Sequence, residues 1–288
     1  MRSWIIVNEL RRPPQVAREH AVEVIEEPKS SSGPFGLSSR NLDDYRTHGF
    51  VVQRGVFSSG GMDELRLETD RLLTERQDLI SPRNLRCRYM PHHETGESLF
   101  EVFDPVNDIS PCCERFSLDD RILRIMETIY GEPAYLFKDK LIFKPPGALG
   151  YQLHQDIPRY WPGFPRSFLT VLIPIDRTTR ENGCTEVYSG YHADFMSTSP
   201  EVYMLPDDMV ELGRGTWLEL APGDIAIFHG LTPHRSGPNK SNSMRRTLYT
   251  SYNAASDGGD QRAAHYAEFH QKMRPRIETL TGSTAYFQ

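Results

Sequence analysis

Three places in the chain set a histidine two residues ahead of an acid: His92 with Glu94, His154 with Asp156, and His192 with Asp194. Imidazole nitrogens and carboxylate oxygens are both metal donors. In an extended segment, residues i and i+2 project from one face, so such a pair can close on a single ion while the residue between looks away. The pattern is cheap. With ten histidines and 39 acids among 288 residues it arises by chance, and the surroundings must choose. His92 lies in RYMPHHETGES, a polar loop flanked by proline and glycine, and His192 follows the turn residues Ser189-Gly190. His154 alone directly follows a short β-type run, 151–153, which is expected to pair with the preceding run LFKDKLIFK.

A third donor must come from a distant strand. In APGDIAIFHGLTPHRSGPN, the turn Pro222-Gly223-Asp224 leads into an apolar run that ends on His229, with His234 five residues on. Either histidine is a candidate. Two histidines and one carboxylate around a metal with open positions form the facial triad of non-haem Fe(II) oxygenases. Arg245 follows eleven residues after His234, and its planar guanidinium suits an anionic carboxylate held by two charge-assisted bonds. Residues 245, 247, 249 and 251 share one strand face, which turns Arg245 inward and Arg246 outward. Lys140 reads equally well as a pocket residue or, since lysines at 138, 140 and 144 mark a solvated strand face, as a surface one.

These residues need a scaffold, and the apolar pattern supplies one. Phe50-Val51-Val52 reads as a strand, and Met62, Leu65, Leu72 and Leu73 recur at helical spacing up to about Gln77. Ile122, Ile125, Met126 and Ile129 mark a second helix over 118–130, stopped by Gly131. Beyond Pro133 come short β-rich runs, at 135–144, 151–155, 167–175, 184–188, 216–220, 225–229 and 245–253, punctuated by Gly, Pro and Asn. Helices first and strands afterwards predict an α+β fold with an antiparallel sandwich or barrel. Residues 1–40, rich in breakers such as RRPP and SSSGP, read as an arm or linker ahead of one domain over 41–288. A contact within a homo-oligomer is the role left open for that arm.

Composition excludes several classes. A net charge of −6 argues against a nucleic-acid partner. The longest apolar run near the start, WIIV, is too short for a signal core or a membrane span. Four cysteines, two of them adjacent, make no disulfide framework and fit a reducing cytoplasm as small buried hydrophobes.

HQD at 154–156, ENGC at 181–184, SGYH at 189–192, PGD at 222–224 and HRSGPN…R from 234 to 245 together resemble the phytanoyl-CoA dioxygenase family over about Asn41 to Asn253. The resemblance implies a double-stranded β-helix, or jelly roll, of the cupin type. It implies Fe(II) on His154, Asp156 and His234, with 2-oxoglutarate and O2 as cosubstrates. Arg245 would bind the far carboxylate of 2-oxoglutarate, assisted by Ser236, with Lys140 and Thr170 in the cosubstrate pocket. An intact Asp156 favours hydroxylation over halogenation. Past the HQD, IPRYWPGFPR would line the mouth, where Arg159, Tyr160, Trp161 and Arg166 suit a small anionic or zwitterionic molecule. The pattern is similar to family members that hydroxylate 2-aminoethylphosphonate or its trimethylammonium analogue next to phosphorus. An acyl-CoA, an amino-acid derivative or a natural-product intermediate are the competing substrates. A zinc cupin-like hydrolase or isomerase and a metal-free binding module are the readings from other classes.

Overall fold

The computed structural model describes residues 36–158, 163–197 and 204–288. The arm expected over 1–40 lies almost wholly outside them, as do Arg159, Tyr160 and Trp161. Helix α1 (Ser39–His48) opens on Ser38, whose hydroxyl accepts from Asn41 N, and closes on Gly49 in the left-handed region at φ 80°. Strand β1 (Phe50–Gln53) follows, then α2 (Ser59–Glu75), which buries Met62, Leu65, Thr69 and Leu72 on one stripe. The segment expected as a polar loop is instead a hairpin of β2 (Cys87–Pro91) and β3 (Ser98–Phe103), with His92 to Glu97 as its turn. Its strands carry Tyr89, Phe100 and Phe103, which pack among apolar side chains and outweigh the turn-rich centre. Helices α3 (Pro111–Ser117) and α4 (Asp120–Tyr130) come next, and α4 buries Ile122, Ile125 and Met126 before Gly131 ends it.

The remaining strands are β4 (Ala134–Ile142), β5 (Tyr151–His154), β6 (Leu169–Pro174), β7 (Thr185–Tyr188), β8 (Gly215–Trp217), β9 (Ile225–His229), β10 (His234–Ser236) and β11 (Thr247–Ala254). A larger sheet runs β1-β9-β6-β11-β4-β3-β2 and a smaller one β5-β10-β7-β8, with antiparallel pairing throughout. Strand β5 therefore does not pair with β4 as expected. It crosses to the smaller sheet and pairs with β10, while β4 lies between β3 and β11.

Alternation along the strands divides the core. Val171, Ile173, Ile225, Ile227 and Leu248 face the helices, packing with Leu65, Leu72, Ile122 and Met126. Their neighbours Leu172, Ala226, Phe228 and Tyr249 face the other way and pack with Val187, Leu218 and Leu220 around the smaller sheet. A helix-backed sheet packed on a second sheet is the expected α+β jelly roll.

Helix α5 (Arg262–Thr281) was not expected from the sequence, because its buried residues His265, Tyr266 and Ile277 make no periodic apolar stripe and its N-terminal end is tied down by polar contacts. Arg262 Nε donates to the buried Asp139 at 2.6 Å, and the Tyr266 hydroxyl donates to the Asp139 carbonyl at 2.7 Å. Among the described residues no helix is long and apolar enough to cross a membrane.

Candidate metal and cosubstrate site

The register of β5 and β10 places His154 directly opposite His234, with ring centroids 4.2 Å apart. Asp156 lies just past β5, where its backbone N–H donates to Gly230 O at 2.8 Å and turns its side chain back toward both rings. Asp156 Oδ1 stands 3.7 Å from His154 Nε2 and 3.8 Å from His234 Nε2. The donor atoms of the three residues all lie within 4.8 Å of one another, the only such group of donors among the described residues.

The chemistry of the donors fits an ion. His154 Nδ1 meets Gln152 O at 2.7 Å and His234 Nδ1 meets Thr232 O at 3.0 Å. A carbonyl accepts only, so each Nδ1 carries the proton and each Nε2 offers its lone pair. Thr170 Oγ1 donates to Asp156 Oδ2 at 3.2 Å, which leaves Oδ1 facing the imidazoles. Burial would raise the Asp156 carboxyl, but His234, His154 and Lys140 hold it well below the usual carboxylate range. Burial and the neighbouring His154 push His234 down to about 4, so its ring is neutral at pH 7.

Beside the three donors lies a cavity lined by Lys140, Tyr151, Ser236, Arg245 and Tyr249 as well as by His154 and His234. Arg245 is 1% exposed, with Nη1 donating to Thr247 Oγ1 at 3.1 Å and no partner on Nε. Arg246 points the other way and binds Asp176 through Nε at 2.8 Å and Nη2 at 2.9 Å, tying β11 to α2 through Asp70 and Thr69. The two neighbours thus take opposite faces, as strand alternation requires.

Several expected residues sit elsewhere. Thr170 reaches Asp156 and Ser251 rather than the cavity wall. Arg166 is 91% exposed beside Asp257 and does not line the cavity. His229 is held away from the three donors, with Nε2 on Ser167 Oγ at 2.8 Å and Nδ1 accepting from Leu231 N at 3.0 Å. Gln155, between His154 and Asp156, is buried and joins Leu231 O and Asp194 O to Met196 N. Sequence reasoning passed over Glu101, Tyr151 and Tyr249, which approach the cavity from three separate strands. It also left Lys144 on an open strand face, whereas β4 ends at Ile142 and Lys144 turns inward, fully buried. Its one signal was a lysine between Phe143 and Pro145 in an apolar run.

Two facing antiparallel sheets with two imidazoles and a carboxylate gathered beside a buried arginine define the jelly-roll class of non-haem iron oxygenases. The family model for phytanoyl-CoA dioxygenase matches residues 45–247, and the chain belongs to that family. It is an enzyme, a dioxygenase dependent on Fe(II), 2-oxoglutarate and O2, acting on a small molecule. The chain is 26% identical over 243 residues to 2-aminoethylphosphonate dioxygenase of an uncultured bacterium, covering 83% of this chain and 89% of that one. It is 36% identical over 154 residues to methylphosphonate hydroxylase of Gimesia maris, covering 54% of this chain and 58% of that relative's length. In fold it is similar to EctD from S. alaskensis, solved with 2-oxoglutarate and 5-hydroxyectoine, at 19% identity and a TM-score of 0.64 over 81% of this chain and 83% of that one.

Proposed function

We propose that this dioxygenase hydroxylates a small phosphonate at the carbon next to phosphorus, with 2-aminoethylphosphonate or its trimethylammonium analogue as the expected substrate. The names of the two relatives support the substrate class. The observation that carries the chemistry is the gathering of His154, Asp156 and His234 beside Arg245 in one cavity. In this reading His154 Nε2, Asp156 Oδ1 and His234 Nε2 hold iron, which supplies O2 activation and hydroxyl transfer. Arg245 and Ser236 take the far carboxylate of 2-oxoglutarate, and the residues around them keep water out. Lys140, whose ammonium sits 5.2 Å from the centre of the Tyr249 ring, puts a cation at the cavity wall beside the histidines and suits an anionic headgroup or carboxylate. Arg159, Tyr160 and Trp161 are the proposed rim around the substrate.

The overall reaction balances as phosphonate, O2 and 2-oxoglutarate giving hydroxyphosphonate, succinate and CO2. A succinate-release screen with 2-aminoethylphosphonate, its trimethylammonium analogue, methylphosphonate, betaines and long acyl-CoAs tests the substrate. Turnover with a phosphonate is expected; stimulation by acyl-CoAs alone overturns the phosphonate assignment. Anaerobic addition of Fe(II) and 2-oxoglutarate should give a weak visible charge-transfer band, which a zinc hydrolase or a metal-free binding module would not show. The four thiols of Cys87, Cys112, Cys113 and Cys184 are free, in keeping with a reducing cytoplasm. We read residues 41–288 as the catalytic domain and 1–40 as an arm; comparing the solution mass of the chain with and without the arm tests whether it mediates self-association.

A further inference from the structure

Lys144 is the one non-glycine residue at positive φ among the described residues, at 30°, and its side chain is fully buried. A lysine held in the left-handed region with its amine out of water is costly twice over, so its contacts must compensate. Its Nζ donates to Ser236 Oγ at 3.0 Å and to Gly237 O at 2.7 Å. Its own carbonyl accepts from Arg245 N at 3.2 Å and from Asn239 Nδ2 at 2.9 Å. Lys144 thus touches both polar residues that the proposed cosubstrate pocket needs.

Counting protons on Ser236 makes the role specific. Its hydroxyl oxygen accepts from Lys144 Nζ and from Tyr151 N, the latter at 3.3 Å. A hydroxyl has two lone pairs and one proton. With both lone pairs engaged, the proton is left to be donated, and Ser236 lines the cavity. The charges agree. Arg245 and Lys144 face one buried carboxylate, Glu101, which accepts from the Tyr151 hydroxyl at 2.7 Å through one oxygen and has no hydrogen-bond partner on the other. When both bases are protonated, these two and the Lys140 ammonium at the cavity wall outnumber Glu101, the one carboxylate they face, so the pocket holds positive charge in excess. Burial and the nearby Arg245 pull the Lys144 amine down to about 7, so an arriving anion would favour its charged form.

We propose that Lys144 is a positioning residue for the cosubstrate, setting Ser236 as a fixed hydrogen-bond donor to the distal carboxylate of 2-oxoglutarate. This rests on the cosubstrate reading above. The test is anaerobic calorimetry on the full-length Fe(II) protein with 2-oxoglutarate and with 2-oxovalerate, which keeps the keto acid and lacks the distal carboxylate. Lys144→Met should weaken 2-oxoglutarate binding about tenfold and leave 2-oxovalerate unchanged. Ser236→Ala should do the same alone and add little on top of Lys144→Met. If Lys144→Met does not fold, judged by its melting transition, Lys144→Gln is measured in the same way. Unchanged 2-oxoglutarate affinity in a folded variant, equal losses for both keto acids, or additive effects of the two substitutions each overturn the proposal. A wild-type protein that binds neither keto acid overturns the cosubstrate reading itself.

Discussion

Neighbouring arginines with opposite orientations allow a sharp test of the cosubstrate pocket. Arg245→Met replaces a buried guanidinium by an unbranched apolar side chain that fits most of its volume. In the protein, Arg245 Nη1 has Thr247 and Nε has no partner, so the donors left over are free for a ligand carboxylate. Two charge-assisted bonds at roughly 1.5–3 kcal/mol each amount to about 3–6 kcal/mol, or roughly 10²- to 10⁴-fold in affinity. The fold loses little, because among the described residues no carboxylate is hydrogen-bonded to Arg245. Arg246→Met acts in the opposite sense. It removes the pair with Asp176, which is 22% exposed, and the link to Asp70, which is 57% exposed. Discounted for that solvent access, the loss is about 1–3 kcal/mol of stability. The assay is KM for 2-oxoglutarate from succinate release, with chemical denaturation of each variant. Arg245→Met should raise KM at least a hundredfold at near-native stability, and Arg246→Met should lower stability at near-native KM. Equal KM values for the two variants, or the reverse assignment, would refute the inward placement of Arg245.

Three further outcomes follow from the geometry. Thr170→Val removes the hydroxyl donating to Asp156 Oδ2, and about a tenfold loss in Fe(II) affinity is expected with the melting temperature nearly unchanged, measured by metal titration. Gly150→Ala would put a methyl 1.9 Å from Ser236 O, forcing β5 away from β10; loss of Fe(II) binding is expected even where the chain stays folded by circular dichroism. Burial pushes His229 and His234 down to about 4 and His265 to about 3 from an ordinary 6.5. The unfolded chain therefore binds more protons, and metal-free protein should lose stability as pH falls from about 6.5 toward 4, by roughly 2–3 kcal/mol per histidine. Denaturation curves across that range check it, and flat stability would count against these burial assignments.

The sequence alone determined the pieces whose information is local. Apolar spacing carried α2 and α4, with Gly131 as a stop, and the structure adds Ser58 and Asp119 as their N-terminal caps. Strand alternation separated Arg245 from Arg246 before any fold was known. The order of HQD, PGD and HRSGPN…R pointed to the family. Tertiary structure decided the rest, because the deciding contacts join residues far apart in the chain. The choice of His234 over His229 is a matter of register, since β10 pairs with β5 while His229 ends a strand of the other sheet. The partner of β5 is set by the crossing between sheets, which leaves no mark on either strand. Helix α5 packs Ile277 on Leu85 and ties its start to Asp139, 123 residues before Arg262, so no stripe announces it. Lys144 looked solvated by alternation and is buried because its strand ends two residues earlier. A polar side chain's value depends on what faces it, and only the folded chain brings Ser236, Glu101 and Arg245 around that amine.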